Sequence, residues 1–259
     1  MTTLSPAVRA AQDCATMLDR NLRHTLRSPD SLIMTVAVPV VILLMFVYVF
    51  GGAIEIGPGA YIDYVVPGII LLCAGFGAAT TAVSLSTDLS EGIIDRFRAM
   101  DIGRSAVLTG HVLESLIRNM ITTTLVIAVA VAVGFRPTAD PLRWLGAFAM
   151  IALFVLALSW LAACLGVLAA NPEAANGFTF FFLFLPYVSS AFVPPETMPG
   201  WLHAFAEHQP VTPVIETVRG LLTGTEIGDS AAVGAAWCLG IAALGFLGAR
   251  TLFARRTAD

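Results

Sequence analysis

Of the 259 residues, few carry side chains able to do covalent or metal chemistry, and their spacing argues against most of it. His203, Glu207 and His208 crowd one short stretch. A zinc site of the H-E-x-x-H kind needs its two imidazoles four residues apart on one helical face. Here they are five apart and Pro210 follows at once, so no metal site is expected. His24 and His111 stand alone. Cys14, Cys73, Cys164 and Cys238 form no C-x-x-C pair, and three of them fall in apolar runs, where they read as small buried residues. All 14 basic residues are Arg. Without a Lys, the chain has neither the phosphate-cradling loop G-x-x-x-x-G-K-[ST] nor a lysine Schiff base. No catalytic residue and no cofactor of its own are expected.

The richest mixture of charge and apolar bulk is Asp88-Leu-Ser-Glu-Gly-Ile-Ile-Asp-Arg-Phe-Arg-Ala-Met-Asp101. Ile94 and Phe97 are three apart, flanked by Ile93 and Met100, which makes one apolar stripe on a short helix. Asp88, Glu91, Asp95, Arg96 and Arg98 supply charge at its rim, beside Gly92. Such a helix docks in a groove of a soluble partner, burying its anchors and using the rim charges for register. The plainer alternative is a solvated helix held by its own ion pairs.

The elements around this segment are apolar. A hydrophobic fraction of 57% against 12% charged residues excludes an ordinary soluble domain. Six apolar stretches approach the roughly 20 residues that a bilayer crossing needs: 32–52, 62–86, 119–135, 145–169, 174–193 and 231–252. The expected fold is therefore all-α, a polytopic membrane protein with six transmembrane helices. No signal-peptide pattern opens the chain, since the first apolar run begins near residue 32. Most Arg residues fall on one side of these spans: Arg9, Arg20, Arg23 and Arg27; Arg96, Arg98, Arg104 and Arg118; Arg250, Arg255 and Arg256. Arg136, Arg143 and Arg219 fall on the other. Basic loops stay in the cytoplasm, so the expectation is a multi-pass protein of the cytoplasmic membrane with both termini inside. A net charge of −4 offers no basic patch for nucleic acid.

Intramembrane ionisable residues usually mark ion coupling. None is read at the centre of a span; Glu114 and Arg118 are placed at the cytoplasmic foot of the third as a membrane-edge salt bridge. A secondary carrier or an autonomous channel is the alternative this disfavours, and energy must then come from elsewhere. Pro39, Pro67 and Pro186 interrupt spans one, two and five and, with Phe181 and Ser189, are candidates for a translocation path. Residues 5–28 alternate with a helical period that suits an amphipathic helix in the membrane interface, so 1–30 is set apart from a six-helix transmembrane domain at 31–259. Asn171-Pro-Glu173 reads as a capped helix start. Residues 194–229 are expected to hold two short amphipathic helices, near 199–207 and 213–222, dipping into the outer leaflet with Trp201 as anchor.

Four stretches together carry a resemblance. They are Leu26-Arg-Ser-Pro-Asp with Pro39 and Tyr48-Val-Phe-Gly51; Tyr61-Ile-Asp-Tyr-Val-Val-Pro-Gly68; Glu91-Gly92 with Arg96-Phe-Arg98; and Ala191-Phe-Val-Pro-Pro-Glu-Thr-Met-Pro-Gly-Trp201 with Pro210 and Arg219-Gly-Leu-Leu-Thr-Gly224. In that order they resemble the membrane subunits of ATP-binding-cassette type-2 exporters of the daunorubicin-resistance kind. The resemblance implies six helices per chain, a homodimer, and two copies of a separate ATPase that binds ATP and Mg. It implies that 88–101 is the coupling helix seated in that ATPase, and that 194–224 is an outer re-entrant pair. Its cargo would be a hydrophobic or amphipathic compound, drug-like or lipid-like, with a lipid-linked glycan as the alternative. The resemblance departs at Leu89-Ser-Glu-Gly92, where members of the family often carry a Lys.

Overall fold

The computed structural model describes residues 5–27, 29–53, 60–93 and 103–256, and every element among them is helical. In chain order these are α1 (Pro6–Leu26), α2 (Pro29–Met45), α3 (Tyr61–Ser90), α4 (Arg104–Val133), α5 (Pro141–Leu168), α6 (Pro172–Phe184), α7 (Gly200–His208), α8 (Val211–Thr223) and α9 (Ser230–Arg256). Polar caps set their starts where the sequence supplies them. Asp140 accepts a hydrogen bond from the Arg143 amide at 2.7 Å, and Asn171 accepts one from Ala174 at 2.8 Å, each followed by Pro at the first helical position.

Five segments among the described residues are long and apolar enough to cross a membrane: Ile33–Phe50, Tyr61–Ser90, Ser105–Val133, Pro141–Leu168 and Ser230–Arg256. The first includes a wide π turn, Phe46–Phe50, that continues α2. The expected fifth crossing, 174–193, is helical only through Phe184 and then tightens into a 3-10 turn, Leu185–Val188. Pro186 has no amide hydrogen, so the α-helical ladder ends there. Ser189 then turns extended, its hydroxyl donating to the Pro186 carbonyl at 2.6 Å and accepting from the Ala191 amide at 3.1 Å.

α3 is the axis of the molecule. It is buried along most of its length against α5, α6, α4 and α8, and α9 lies along α5. α2 and α9 show apolar side chains such as Ile33, Met34, Val41, Leu239 and Leu244 on the outside. That pattern suits a lipid-facing rim around a packed centre. A second apolar cluster, with Met17, Leu85, Val107, Val112, Val167 and Phe253, joins α1 to one end of α3, α4, α5 and α9. α1 and the last turns of α9 therefore lie at the same end of the bundle, here the terminal end; α7 and α8 lie at the far end. Arg256 fastens the terminal end by donating to the Val167 and Ala169 carbonyls at 2.6 and 2.7 Å, where α5 runs out of internal acceptors' partners.

Candidate functional site

The terminal end of α3 delivers the chain into the segment 88–101. α1 is not a free-lying amphipathic helix there: it packs along α4 and reaches α3 through charge. Arg20 of α1 grips Asp88 with both guanidinium nitrogens, Nη2 donating to Oδ1 at 2.9 Å and Nη1 to Oδ2. That hydrogen-bonded carboxylate raises the Arg20 pKa above its ordinary value, against the opposing pull of burial. His111 of α4 meets the same carboxylate, Nε2 lying 3.1 Å from Oδ2. Asp88 thus joins three helices at the last turn of α3, and the Gly103 amide at the start of α4 donates to Asp13 of α1 at 3.2 Å.

Asp88 is buried by these partners rather than standing at a docking rim. Glu91 is exposed and ends α3; Gly92 follows with φ of +67°, the left-handed region in which a side chain is strained, so the chain leaves the helix sharply. Ile94, Asp95, Arg96, Phe97 and Arg98 lie outside the described residues. The terminal end therefore shows the frame of the 88–101 segment, its entry at Asp88–Gly92 and its exit at Gly103, without the segment's own side chains.

One turn deeper sits a second buried group. Arg118 Nε donates to Glu114 Oε1 at 2.9 Å, Thr25 of α1 donates to the same oxygen at 2.8 Å, and Arg118 Nη2 donates to the Gly77 carbonyl at 3.2 Å. Both charged side chains are under a tenth exposed. Asn119, Ser115 and Ser159 continue the polar path, with Asn119 donating to the Ser115 carbonyl and Ser159 to the Ser115 hydroxyl. The Glu114–Arg118 ion pair expected from the sequence forms, and it is buried against α1 and α3. α4 begins at Arg104, well before the apolar run that marks the span, so the pair falls mid-helix against the middle of α3. An apolar window starts where polar residues stop; these polar residues turn inward instead.

The far end is organised by another cation, which the sequence offered as a loop charge and as the first residue of the Arg219–Gly224 stretch. Arg219 of α8 donates to the Ser190 carbonyl through Nη2, to the Tyr64 carbonyl at 3.2 and 3.3 Å through Nη2 and Nε, and to Glu216 at 3.1 Å. Its guanidinium also lies 3.8 Å from the centre of the Tyr64 ring. Tyr61 donates its hydroxyl to the Phe192 carbonyl at 3.1 Å. A Cβ on Gly68 would come within 2.6 Å of the Ala191 Cβ, so glycine permits α3 to touch the turn. The stretches at 61–68, 191–201 and 219–224 thus meet in one knot. The signal available beforehand was an Arg on the apolar face of a short helix.

Of the path candidates, Pro39, Pro67, Pro186 and Ser189 are all buried within the chain; Phe181 belongs to α6, its side chain outside the described residues. The short helices foreseen near 199–207 and 213–222 are α7 and α8. Trp201 is largely exposed, whereas α8 is buried on most sides. Among the described residues no group of His, Cys, Asp and Glu is arranged to hold a metal.

Comparison with known proteins follows this geometry. The family model described as ABC-2 type transporter matches residues 12–223, from α1 to the last residue of α8. The chain is 33% identical over 232 residues to the daunorubicin resistance ABC transporter permease protein DrrB1 of Streptomyces coeruleorubidus, covering 86% of this chain and 81% of that protein. It is 24% identical over 207 residues to the probable doxorubicin resistance ABC transporter permease protein DrrC of Mycobacterium tuberculosis (strain CDC 1551 / Oshkosh), covering 80% of this chain and 75% of that one.

Proposed function

This chain belongs to the ABC-2 type transporter family, and on that footing we propose how it works as the permease subunit of a drug-exporting ABC transporter. It is a multi-pass membrane protein and a transporter component; its family works with an ATPase subunit. The observation that carries the function is the family match across α1 to α8, on a chain with five helices able to cross a bilayer.

The finer reading is as follows. The protein sits in the cytoplasmic membrane with the terminal end, and so both termini, in the cytoplasm. The strong Arg bias of that end supports this. α6 and its 3-10 turn together make a sixth crossing: 13 residues at about 1.5 Å and four at about 2.0 Å reach roughly 28 Å, close to the hydrocarbon thickness. α1 rides at the inner interface, and α7 with α8 forms the outer re-entrant pair. Two copies of the chain make a homodimer that moves a hydrophobic or amphipathic, drug-like cargo outward through the bilayer. ATP and Mg are held by the partner ATPase.

Force enters through 88–101. The ATPase grips its apolar stripe, and the motion reaches α3 through Gly92 and the Asp88 tie and α4 through Gly103. Asp88 bonded to Arg20 and His111 supports this, because a displacement of the segment then moves α1, α3 and α4 together. Pro39, Pro67, Phe181, Pro186 and Ser189 stay as candidates for parts that yield as the path opens.

Reconstitution into vesicles with and without the cognate ATPase tests the reading. Daunorubicin movement should require both the ATPase and ATP. Phe97→Asp and Gly92→Pro should leave the permease in the membrane and abolish ATP-driven movement. Solute flux through the permease alone would instead support an autonomous channel, and normal transport by both variants would remove 88–101 from the coupling role.

A further inference from the structure

Among the described residues, seven buried side-chain polar atoms find no hydrogen-bond partner within the chain, and three of them fall within six residues of α4: Arg118 Nη1, Asn119 Oδ1 and Thr123 Oγ1. Arg118 is 8% exposed and the other two residues are fully buried. Polar groups in a packed membrane helix are costly unless something pairs with them, so three together call for a shared partner.

Two of the atoms flank one residue of α3. Arg118 Nη2 donates to the Gly77 carbonyl at 3.2 Å, and Nη1 shares its guanidinium carbon. A Cβ on Gly77 would collide with Asn119 Oδ1, so that oxygen lies against the Gly77 main chain and faces only a Cα–H, a second-order donor. The amide cannot be turned the other way. Its Nδ2 donates to the Ser115 carbonyl at 2.8 Å, and only the nitrogen can do that. Thr123 is four residues on from Asn119, one turn further along the same face. Thr124 beside it donates to the carbonyl four residues back at 2.8 Å, as do Thr81, Thr87, Thr217 and Thr251 to theirs. The Thr123 hydroxyl makes no such bond and is directed away from its own ladder.

The balance of donors and acceptors selects the partner. The Gly77 carbonyl already takes the Thr80 hydroxyl at 2.8 Å, the Thr81 hydroxyl at 3.1 Å and Arg118 Nη2, more side-chain donors than an oxygen has lone pairs. Beside it, Nη1 has no acceptor and Oδ1 no donor. An anion would serve only Arg118, whose charge Glu114 already balances. A cation would serve only Asn119 and would be repelled by the guanidinium. A lipid chain serves neither. Water accepts and donates at once.

We propose that α3 and α4 are bridged by an ordered water molecule that accepts from Arg118 Nη1 and donates to Asn119 Oδ1, with the Thr123 hydroxyl as its third partner. A bridging water is nearly as good as a direct bond and re-forms after a small displacement. α3 and α4 are the two helices that carry the ends of 88–101, so the bridge lets them shear without stranding a buried polar group. That mechanical role rests on the exporter reading; the water itself does not.

The test is a cryo-electron-microscopy map of the full permease with its ATPase in nanodiscs, at a resolution that shows ordered water on other polar groups. A separate peak about 3 Å from both Arg118 Nη1 and Asn119 Oδ1 is expected. Side chains in direct contact with no peak between them overturn the proposal. Thr123→Val gives an independent reading, because valine keeps the branched shape and removes only the hydroxyl. Loss of a hydroxyl that holds water should lower Tm by about 2–4 °C. Removal of a hydroxyl without a partner leaves Tm unchanged or raises it, and either result overturns the proposal. ATP-driven transport in vesicles containing the ATPase keeps this apart from the exporter reading. Absent transport by wild type counts against that reading and leaves the water in place. Thr123→Val should slow transport severalfold; transport at the wild-type rate removes the mechanical role.

Discussion

The two ends of the bundle use arginine in opposite ways. At the terminal end, Arg20 and Arg118 meet carboxylates carried by other side chains, Asp88 and Glu114, with His111 and Thr25 added from neighbouring helices. At the far end, Arg219 sits mainly on main-chain carbonyls, those of Tyr64 and Ser190. Side-chain ties break and re-form by rotamer changes within their helices. A cation seated on carbonyls lets go only if the turn itself moves. The terminal end is thus tied side chain to side chain, and the far end side chain to main chain. Arg118 shares both habits, since it also takes the Gly77 carbonyl.

The largest expected effect breaks the terminal side of this contrast. Glu114→Gln leaves Arg118 without its counter-charge in the buried middle of α4, and stability should fall by about 3–5 kcal/mol. The double variant Glu114→Gln with Arg118→Met should recover most of that loss. Thermal unfolding of the purified permease in detergent measures both, and a double variant no better than the single one would show that the pair is not the cause.

Next comes the far-end knot. Arg219→Met strips donors from the Tyr64 and Ser190 carbonyls, with an expected loss of about 2–3 kcal/mol by the same measurement. Arg219→Lys should restore only part, because an ammonium does not span the spread of acceptors that a guanidinium covers. Full rescue by Lys would mean that charge alone matters and that the clamp geometry does not.

Asp88→Asn sharpens the contrast from the other direction. It should cost about 2 kcal/mol, since the Arg20 bonds lose their charged acceptor. Its distinctive sign should be faster proteolytic cleavage of α1, with the Arg219 region unaffected. Cleavage equally accelerated at both ends would dissolve the distinction between them. The smallest effect belongs to the exposed cap at the far end: Asp140→Ala should cost about 1 kcal/mol and leave transport unchanged. A transport defect there would mean that the start of α5 moves during the cycle.

Much of the helical plan was legible from local signals. The period of residues 5–28, the Asn171-Pro-Glu173 cap and the breaks around Gln209-Pro210 each sit within a few residues of the helix ends they mark. The stretch 174–193 was legible as apolar and as interrupted at Pro186, but not as ending its α-helix there: the same residue type leaves α2 and α3 continuous at Pro39 and Pro67. Asp88 looked like a rim charge because charged residues crowd the sequence after it; Arg20 and His111, which bury it, come from other helices.

The sequence by itself determined that the chain belongs in a membrane, that its elements are helices, and where most of them start and stop. Lipid demands are read along single segments, and caps act within one turn. Only the tertiary structure decided which polar groups meet. Arg20 finds Asp88 across 68 residues, and Arg219 finds Tyr64 across 155. No local pattern encodes such pairings, because a buried charge chooses its partner by proximity in the packed bundle and not by position along the chain.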